Sequence, residues 1–460
     1  MKKATLIVSL LLITFSAFAQ PISGQWHGLL KVPGQQLTII FNIVENGDGY
    51  TSTMDSPDQG AKGIPVSSTS YIDSILTLDI QAANIQYKGT YTGKNGFTGT
   101  FTQAGKAFPL TLSTEKPRAT KNRRPQEPSE PYPYTTEDIT FENTKEHITL
   151  AGTLTLPQLG DQFPVVILIS GSGPQNRDEE LQGHKPFLVL ADHLTKKGFA
   201  VLRYDDRGVG ESTGDFITAT SADFAADVQA AIQYLQSRKE INKNQIGLIG
   251  HSEGGLIAPM VAAESKDVAF IVMLAGPGIS GDKILMLQQE LIAKATGTDD
   301  SDIKKQKEIN AKICNLVIHS QDNARLKMDV QNYLTEALQE MPDEQKQDFI
   351  ACHLQQLTSP WMKYFLTQQP AESLEKVKCP VLAINGEKDL QVTATVNLKA
   401  IEEALKKGKN THFVVKKMPG LNHLFQECET GSPQEYATIE QTFSPKALNE
   451  ISDWLVNQVQ

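Results

Sequence analysis

The stretch Ile246–Ala258 reads IGLIGHSEGGLIA. An apolar run stops at Gly250, exposes His251, Ser252 and Glu253, and resumes after Gly254 and Gly255. A buried strand ending at Gly250 and a helix opening near Gly254 leave Ser252 alone at the bend. Glycine two residues before and two after a serine, between strand and helix, is the pattern of a nucleophile elbow. The turn is strained and lifts the hydroxyl above the end of a sheet. Its flanking positions pass so closely that glycine is needed at both. The chemistry implied is nucleophilic attack by Ser252, and the alternative is a structural turn serine.

A serine hydroxyl is a weak nucleophile without a base. The order that accompanies such an elbow is serine, then acid, then histidine. Asp389 lies in VLAINGEKDLQV, just beyond an apolar strand, and His423 lies in MPGLNHLFQ, in the loop before the last helix. Glu387 is the rival acid, but Asp389 stands further along the loop and is favoured. His412 begins the FVV strand and reads as structural. His251 is too near Ser252 in sequence to be its base and is expected to pack beneath the bend. A developing oxyanion needs two preorganised N–H donors. One is expected from the backbone of Glu253, the other from Ser172 in Ser170-Gly171-Ser172-Gly173-Pro174 after PVVILI. An ordinary strand-to-loop turn is the alternative for that segment. Trp361, Tyr364 and Phe365, in SPWMKYFL, fit either an acyl pocket or a plain helical core.

The elements that must position these residues lie between about 137 and 460. DITFEN and HITLAGTLTLP read as a hairpin; PVVILIS, FAVLRYD, QIGLIG, VAFIVMLAG, CPVLAING and HFVVKKM read as strands. Helices with apolar residues at i, i+3, i+4 alternate with them. Alternation of this kind predicts an α/β fold with a mostly parallel, doubly wound sheet. Ligands in such sheets sit at the carboxyl ends of the strands, where Ser252 falls. Residues at about 278–372 interrupt the pattern with four helical segments, among them ILMLQQELIAKA and DIKKQKEINAKICNLVIHS. A structureless loop of that length is implausible, so a helical cap is expected.

The rest of the chain has a different texture. Residues 20–114 alternate short strands with turn signals such as ENGDG and TGKNG, which predicts a small all-β barrel or sandwich. Trp26, in the opening Gly-Gln-Trp, is expected to plug its core. Residues 115–136 are rich in proline and basic residues and read as a semi-rigid linker, with docking of Arg123 or Arg124 as the alternative. Residues 1–19 carry Lys2 and Lys3, an apolar run and Ala17-Phe18-Ala19, the pattern of a bacterial signal peptide. Export to the periplasm or outside is therefore expected. The apolar run is short for a membrane span.

Composition narrows the partners. The chain has 460 residues, is 40% hydrophobic and carries a net charge of −10, with no basic stripe suited to nucleic acid. The four cysteines are too few for a disulfide scaffold; buried free thiols and, since export permits them, disulfides are both open. Asp205-Asp206-Arg207 invites a metal reading, but neighbours on a strand point opposite ways and a loop brace is preferred. Asn176, Arg177, Asp178 and His184 are expected to shape the pocket or brace the loop. No metal or organic cofactor is required, and oligomeric state carries no signal.

The motifs GSGPQNRDE, RYDDRGVGES, GHSEGG, NGEKDLQV and Asn422-His423 together resemble the α/β-hydrolase superfamily. The resemblance is strongest to bacterial esterases and serine-aminopeptidase-like hydrolases with a helical cap. It covers residues from about 137 to 460 and implies a Ser252–His423–Asp389 triad with oxyanion donors at Ser172 and Glu253. One departure is Ser170-Gly171 where many relatives have His-Gly. The resemblance implies hydrolysis of small or short-chain acyl esters, with a peptidase or amidase as the alternative. A peptidase needs an anchor for the substrate amine, for which Glu290 and Asp299 in the insertion are candidates. A binding protein built on a dead hydrolase is opposed by the intact serine, acid and histidine.

Overall fold

The computed structural model describes residues 22–32, 35–47, 49–57, 61–93, 96–103, 106–116 and 124–459. The expected signal peptide, 1–19, lies outside them, as do Arg123 and the side chain of Cys352. The chain divides into two compact units, Met1–Ala119 and Thr120–Gln460.

The first unit is one antiparallel nine-stranded sheet. Its strands are β1 (Gly24–Val32), β2 (Gln35–Asn46), β3 (Gly49–Ser56), β4 (Ala61–Pro65), β5 (Ser68–Ile72), β6 (Ile75–Ile80), β7 (Ile85–Gly93), β8 (Gly96–Gln103) and β9 (Lys106–Ser113). The order β4-β3-β2-β1-β9-β8-β7-β6-β5 is a meander closed between β1 and β9. The sheet curls until its two ends meet: Val66 N donates to Ser52 O at 3.0 Å, and the hydroxyls of Ser52 and Thr69 are 2.8 Å apart. Inside lies one apolar cluster that includes Trp26, Phe41, Tyr87 and Phe97. Trp26 is 4% exposed and gives its indole N–H to Ile22 O.

The second unit holds an eight-stranded sheet of order β10-β11-β13-β12-β14-β15-β16-β17. The strands are β10 (Tyr134–Asn143), β11 (Ile148–Pro157), β12 (Phe163–Ile169), β13 (Ala200–Tyr204), β14 (Ile241–His251), β15 (Val268–Leu274), β16 (Val381–Gly386) and β17 (Phe413–Met418). β10 and β11 form an antiparallel hairpin, and β12 to β17 run parallel. Successive residues of β12 face opposite layers: Val165, Ile167 and Ile169 join one core cluster, Val166 and Leu168 the other. That two-sided burial is why the parallel strands read as unbroken apolar runs. Helices α2 (Ser221–Ser237), α3 (Glu253–Glu264) and α10 (Ala394–Lys407) cover the first face; α1 (Pro186–Lys196) and α11 (Pro445–Val459) cover the second.

Between β15 and β16 stand α4 (Gly281–Ala295), α5 (Asp300–His319), α6 (Asn323–Ala337), α7 (Asp343–Leu357), α8 (Pro360–Thr367) and α9 (Pro370–Leu374). Helices α4 to α8 share a core of their own, which also takes in Val392 from the loop after β16. The cap is thus seated on the carboxyl end of the sheet. No helix among the described residues is long and apolar enough to cross a membrane.

The segment from 124 onward is not a free linker. The Arg124 guanidinium donates to the carbonyls of Gln182, Ala437 and Ile439 at 2.9–3.2 Å. Gln126 bonds the backbone of Thr442 and Phe443, and β10 already begins at Tyr134.

Candidate active site

β12 and β14 are neighbours, and Ile169 pairs with Gly250 at their carboxyl ends. The chain leaves β12 into Ser170–Pro174 and leaves β14 into Ser252, so these two turns lie side by side. Ser252 has φ 51° and ψ −115° and caps α3. An L-residue is held in that region only by its surroundings. A Cβ on Gly250 would strike the Gly254 carbonyl, and one on Gly254 would strike that of Ile169. A Cβ on Gly171 would lie 3.2 Å from the Cβ of Ser252. The glycines therefore permit three backbones to close around the hydroxyl.

Asp389 and His423 meet after β16 and β17. His423 Nδ1 is 2.7 Å from Asp389 Oδ2, and both side chains are buried. A carboxylate only accepts, so Nδ1 carries a proton, and in the neutral imidazole Nε2 is the nitrogen that keeps its lone pair. Asp389 Oδ1 takes the backbone N–H groups of Gln391 and Val392 at 2.7 and 2.9 Å, which fixes the carboxylate plane. The rivals point elsewhere. Glu387 is exposed and accepts from Gly420 N, and His412 is exposed at the foot of β17.

His251 joins the two halves. Its ring centroid is 4.8 Å from that of His423, and its Nε2 is 3.0 Å from the His423 carbonyl oxygen. Its Nδ1 is 2.9 Å from Oε1 of Glu179. Glu179 was not singled out by sequence reasoning. It sits in an irregular loop at φ 50°, and its partners are Gly171, eight residues before it, and His251, 72 residues after it.

Both oxyanion candidates have distinctive surroundings. Gly171 N is already committed to Glu179 Oε1 at 2.7 Å, so that peptide is not available as the second donor, and Ser172 is the next one along the turn. The N–H of Glu253 opens α3, where helical backbone donors lack intrahelical partners. The Glu253 side chain turns away and is 4% exposed. Its Oε1 accepts from Ser221 Oγ at 2.5 Å and from Trp361 Nε1 at 2.8 Å. Burial pushes its pKa up, and those two donors pull it back only partly.

Trp361 therefore reaches from α8 to the residue after Ser252. It stacks on Phe365 with ring centroids 5.1 Å apart. Phe365 is 8% exposed and belongs to the cap core, and Tyr364 is half-buried. In the insertion, Glu290 is bound by Lys294 at 2.6 Å and by Lys307, which hold its carboxyl down at about 2. Asp299 caps α5 and is exposed.

The paired aspartates are braces. Asp205 receives the backbone N–H, Nε and Nη2 of Arg177. Asp206 accepts from Ser170 Oγ at 2.7 Å and Gln175 N at 3.0 Å, so it anchors the turn beside Ser252. Burial raises its pKa well above the usual range despite those donors. Arg207 makes a bidentate bond to Asp227. Asp178 pairs with Arg203, Asn176 accepts two backbone N–H groups, and His184 is buried against Thr442 and Tyr436.

Comparison with known proteins places the chain. Residues 146–417 match the profile of the X-Pro dipeptidyl-peptidase (S15) family, a span that includes Ser252 and Asp389. The esterase EstD of Thermotoga maritima is 28% identical over 316 residues, 67% of this chain and 65% of EstD. An uncharacterized protein of Pseudomonas aeruginosa is 31% identical over 137 residues, 29% of this chain and 35% of that protein. The chain thus aligns with less than two thirds of the length of these relatives. A solved esterase of Pyrococcus furiosus superposes with a TM-score of 0.44 at 16% identity, covering 71% of this chain and 92% of that one. The family profile takes in more than half of the 460 residues, and the chain belongs to the X-Pro dipeptidyl-peptidase (S15) family, serine-type hydrolases of the α/β-hydrolase superfamily.

Proposed function

We propose that this protein is an exported serine hydrolase that cleaves small carboxylic esters through Ser252, His423 and Asp389. The observation that carries the reading is the 2.7 Å bond from His423 to Asp389, with the His423 ring 4.8 Å from that of His251, the residue before a serine held at φ 51°. The likeness to EstD, named an esterase, supports the ester as substrate. Export rests on the residue pattern at 1–19.

The roles follow from the chemistry of the groups. His423 Nε2 takes the proton of Ser252 Oγ as the oxygen attacks the acyl carbon. Asp389 keeps the proton on Nδ1 and stabilises the imidazolium. The N–H groups of Glu253 and Ser172 hold the oxyanion. Collapse of the tetrahedral adduct breaks the bond to the alcohol oxygen, which leaves with the proton from His423. Water, deprotonated by the same nitrogen, then releases the acid and regenerates Ser252.

A second reading, cleavage of a peptide bond on the same triad, is favoured by the peptidase family whose profile the chain matches. The test is hydrolysis of p-nitrophenyl esters from acetate to decanoate beside aminoacyl-p-nitroanilides, with Ser252→Ala as control. Ester turnover lost in the variant, without anilide cleavage, is the expected result. Anilide cleavage moves the answer to a peptidase, and turnover surviving in the variant removes Ser252 as nucleophile. Export is checked by N-terminal sequencing of protein from the periplasm or medium, with Gln20 as the expected first residue.

A further inference from the structure

Glu179 and His251 have no part in the chemistry above, yet both are buried, at 4% and 6% exposure, beside its reacting groups. Glu179 Oε1 accepts the Gly171 N–H at 2.7 Å and faces His251 Nδ1 at 2.9 Å. Its other oxygen, Oε2, is buried without a hydrogen-bond partner among the described residues. His251 Nε2 faces the His423 carbonyl at 3.0 Å. Three segments meet through this chain of contacts: the turn after β12, the end of β14 and the loop bearing His423.

The ring of His251 thus lies between a carboxylate and a carbonyl, both of which only accept. A neutral imidazole has one N–H and satisfies one of them, whereas an imidazolium satisfies both. Burial alone opposes the cation. The Glu179 charge and hydrogen bond, the His423 carbonyl and the Asp389 charge outweigh it, and the net direction is upward. The charged groups facing the ring are Glu179 and Asp389. His423 and Phe425 flank it, and the Asp206 carboxyl lies within reach of the Glu179 charge.

We propose that Glu179 and His251 are positioning residues, a buried carboxylate–imidazolium pair that ties the oxyanion turn and the His423 loop to the elbow carrying Ser252. Glu179 spends the Gly171 N–H and so orients the following peptide, whose Ser172 N–H stays open to substrate. His251 holds the backbone of His423 while Asp389 holds its ring, so the lateral position of Nε2 is set from two sides. The proposal rests on the triad reading given above.

The test is steady-state hydrolysis of p-nitrophenyl acetate by the full chain and its Glu179→Gln, His251→Gln and double variants, with melting temperature followed in parallel. In Glu179→Gln the amide can accept both N–H groups, but a neutral His251 then turns a lone pair on the His423 carbonyl. Misplacement of reacting groups by an ångström costs about 100-fold, so kcat is expected to fall by roughly 10- to 100-fold in each single variant while KM changes little. The double variant is expected to lose no more than the worse single, since the two act as a unit. Single variants that keep kcat within about 2-fold of wild type while melting earlier, or losses that simply add, overturn the proposal. A wild-type enzyme that neither turns over substrate nor takes a fluorophosphonate label at Ser252 overturns the triad reading, and this one with it. If the variants do not fold, 15N spectra of the nine histidines in the wild-type chain decide. One imidazolium persisting at pH 7.5 is expected, and its absence overturns the pair.

Discussion

Trp361 Nε1 donates to Glu253 Oε1 at 2.8 Å, a bond between cap helix α8 and the residue after Ser252. The cap position is thereby coupled to the peptide proposed to hold the oxyanion. Trp361→Phe keeps the stack on Phe365 and removes only the N–H. A hydrogen bond to a buried carboxyl contributes about 1.5–3 kcal/mol, so a lower melting temperature is expected. We also expect kcat/KM on p-nitrophenyl esters to fall by about 10-fold, the equivalent of 1.4 kcal/mol. Unchanged kinetics in a variant that melts earlier would show that the bond serves the cap alone.

Glu253 gives a prediction with a definite sign. Burial raises its pKa above the ordinary 4.5. A carboxyl whose folded pKa is raised binds its proton more tightly when folded, so its contribution to stability is complete below pH 4.5 and is lost as pH rises through the raised value. Asp206, also raised by burial, acts in the same direction. Glu253→Gln keeps an oxygen for Ser221 and Trp361 and carries no charge at any pH. The variant is expected to melt higher than wild type at pH 8 and to show a flatter loss of stability between pH 5 and 8. A variant that melts lower at pH 8 would mean that ionised Glu253 is well satisfied by its two donors.

Strain at Ser252 separates activity from stability. Residues held in sparsely populated backbone regions cost about 1–3 kcal/mol, and glycine escapes most of that cost. Ser252→Ala and Ser252→Gly both remove the proposed nucleophile. The glycine variant is nonetheless expected to be the more stable, by about 1 kcal/mol in urea unfolding. Equal stability of the two would indicate that the elbow is not strained in solution.

Much of this fold is legible from periodicity, because parallel strands buried on both faces read as apolar runs. β12, β14 and β16 are of this kind. β4 and β5 escaped notice because AKGIP and STSYI are polar and mostly exposed, and β3 because GYTSTMDS is polar although half of it is buried. At the candidate site, glycine spacing points to the bend at Ser252, and loop position points to Asp389 and His423, which the structure joins at 2.7 Å. Glu179 leaves no such trace: its hydrogen bonds to Gly171 and His251 depend on the way an irregular loop folds back. Docking of Arg124 is open as an alternative, but its acceptors are hidden, since two of them are backbone carbonyls over 300 residues away. Composition alone favours a semi-rigid linker for that segment.

Arg124 supplies a test of that docking. Its guanidinium satisfies carbonyls at Gln182, Ala437 and Ile439 that would otherwise lose a charged donor. Arg124→Ala is expected to destabilise the second unit by about 1.5–3 kcal/mol, the range for hydrogen bonds to a charged group. Arg124→Lys, a point charge without the planar fork, should recover only part of it. Calorimetry of the three proteins checks the order, and an alanine variant that melts with wild type would return the segment to a loose connector.

The assignment of the acid is the sharpest of these tests. Asp389 and Glu387 are two residues apart in one loop, but only Asp389 turns its carboxylate to His423, with its second oxygen fixed by Gln391 N and Val392 N. Asp389→Asn presents an amide N–H or carbonyl to Nδ1 and allows the ring to hold its proton on Nε2, where it cannot accept from Ser252. In serine proteases with this arrangement the corresponding change lowers kcat by about 10,000-fold, and a loss approaching that size is expected here. Glu387→Gln touches only the exposed bonds to Gly420 and Lys417, so kcat should stay within about 2-fold of wild type, as for most surface substitutions. Both variants are compared on p-nitrophenyl acetate at pH 8. A larger loss at Glu387 than at Asp389 would exchange the two roles and require the loop after β16 to adopt another conformation in the working enzyme.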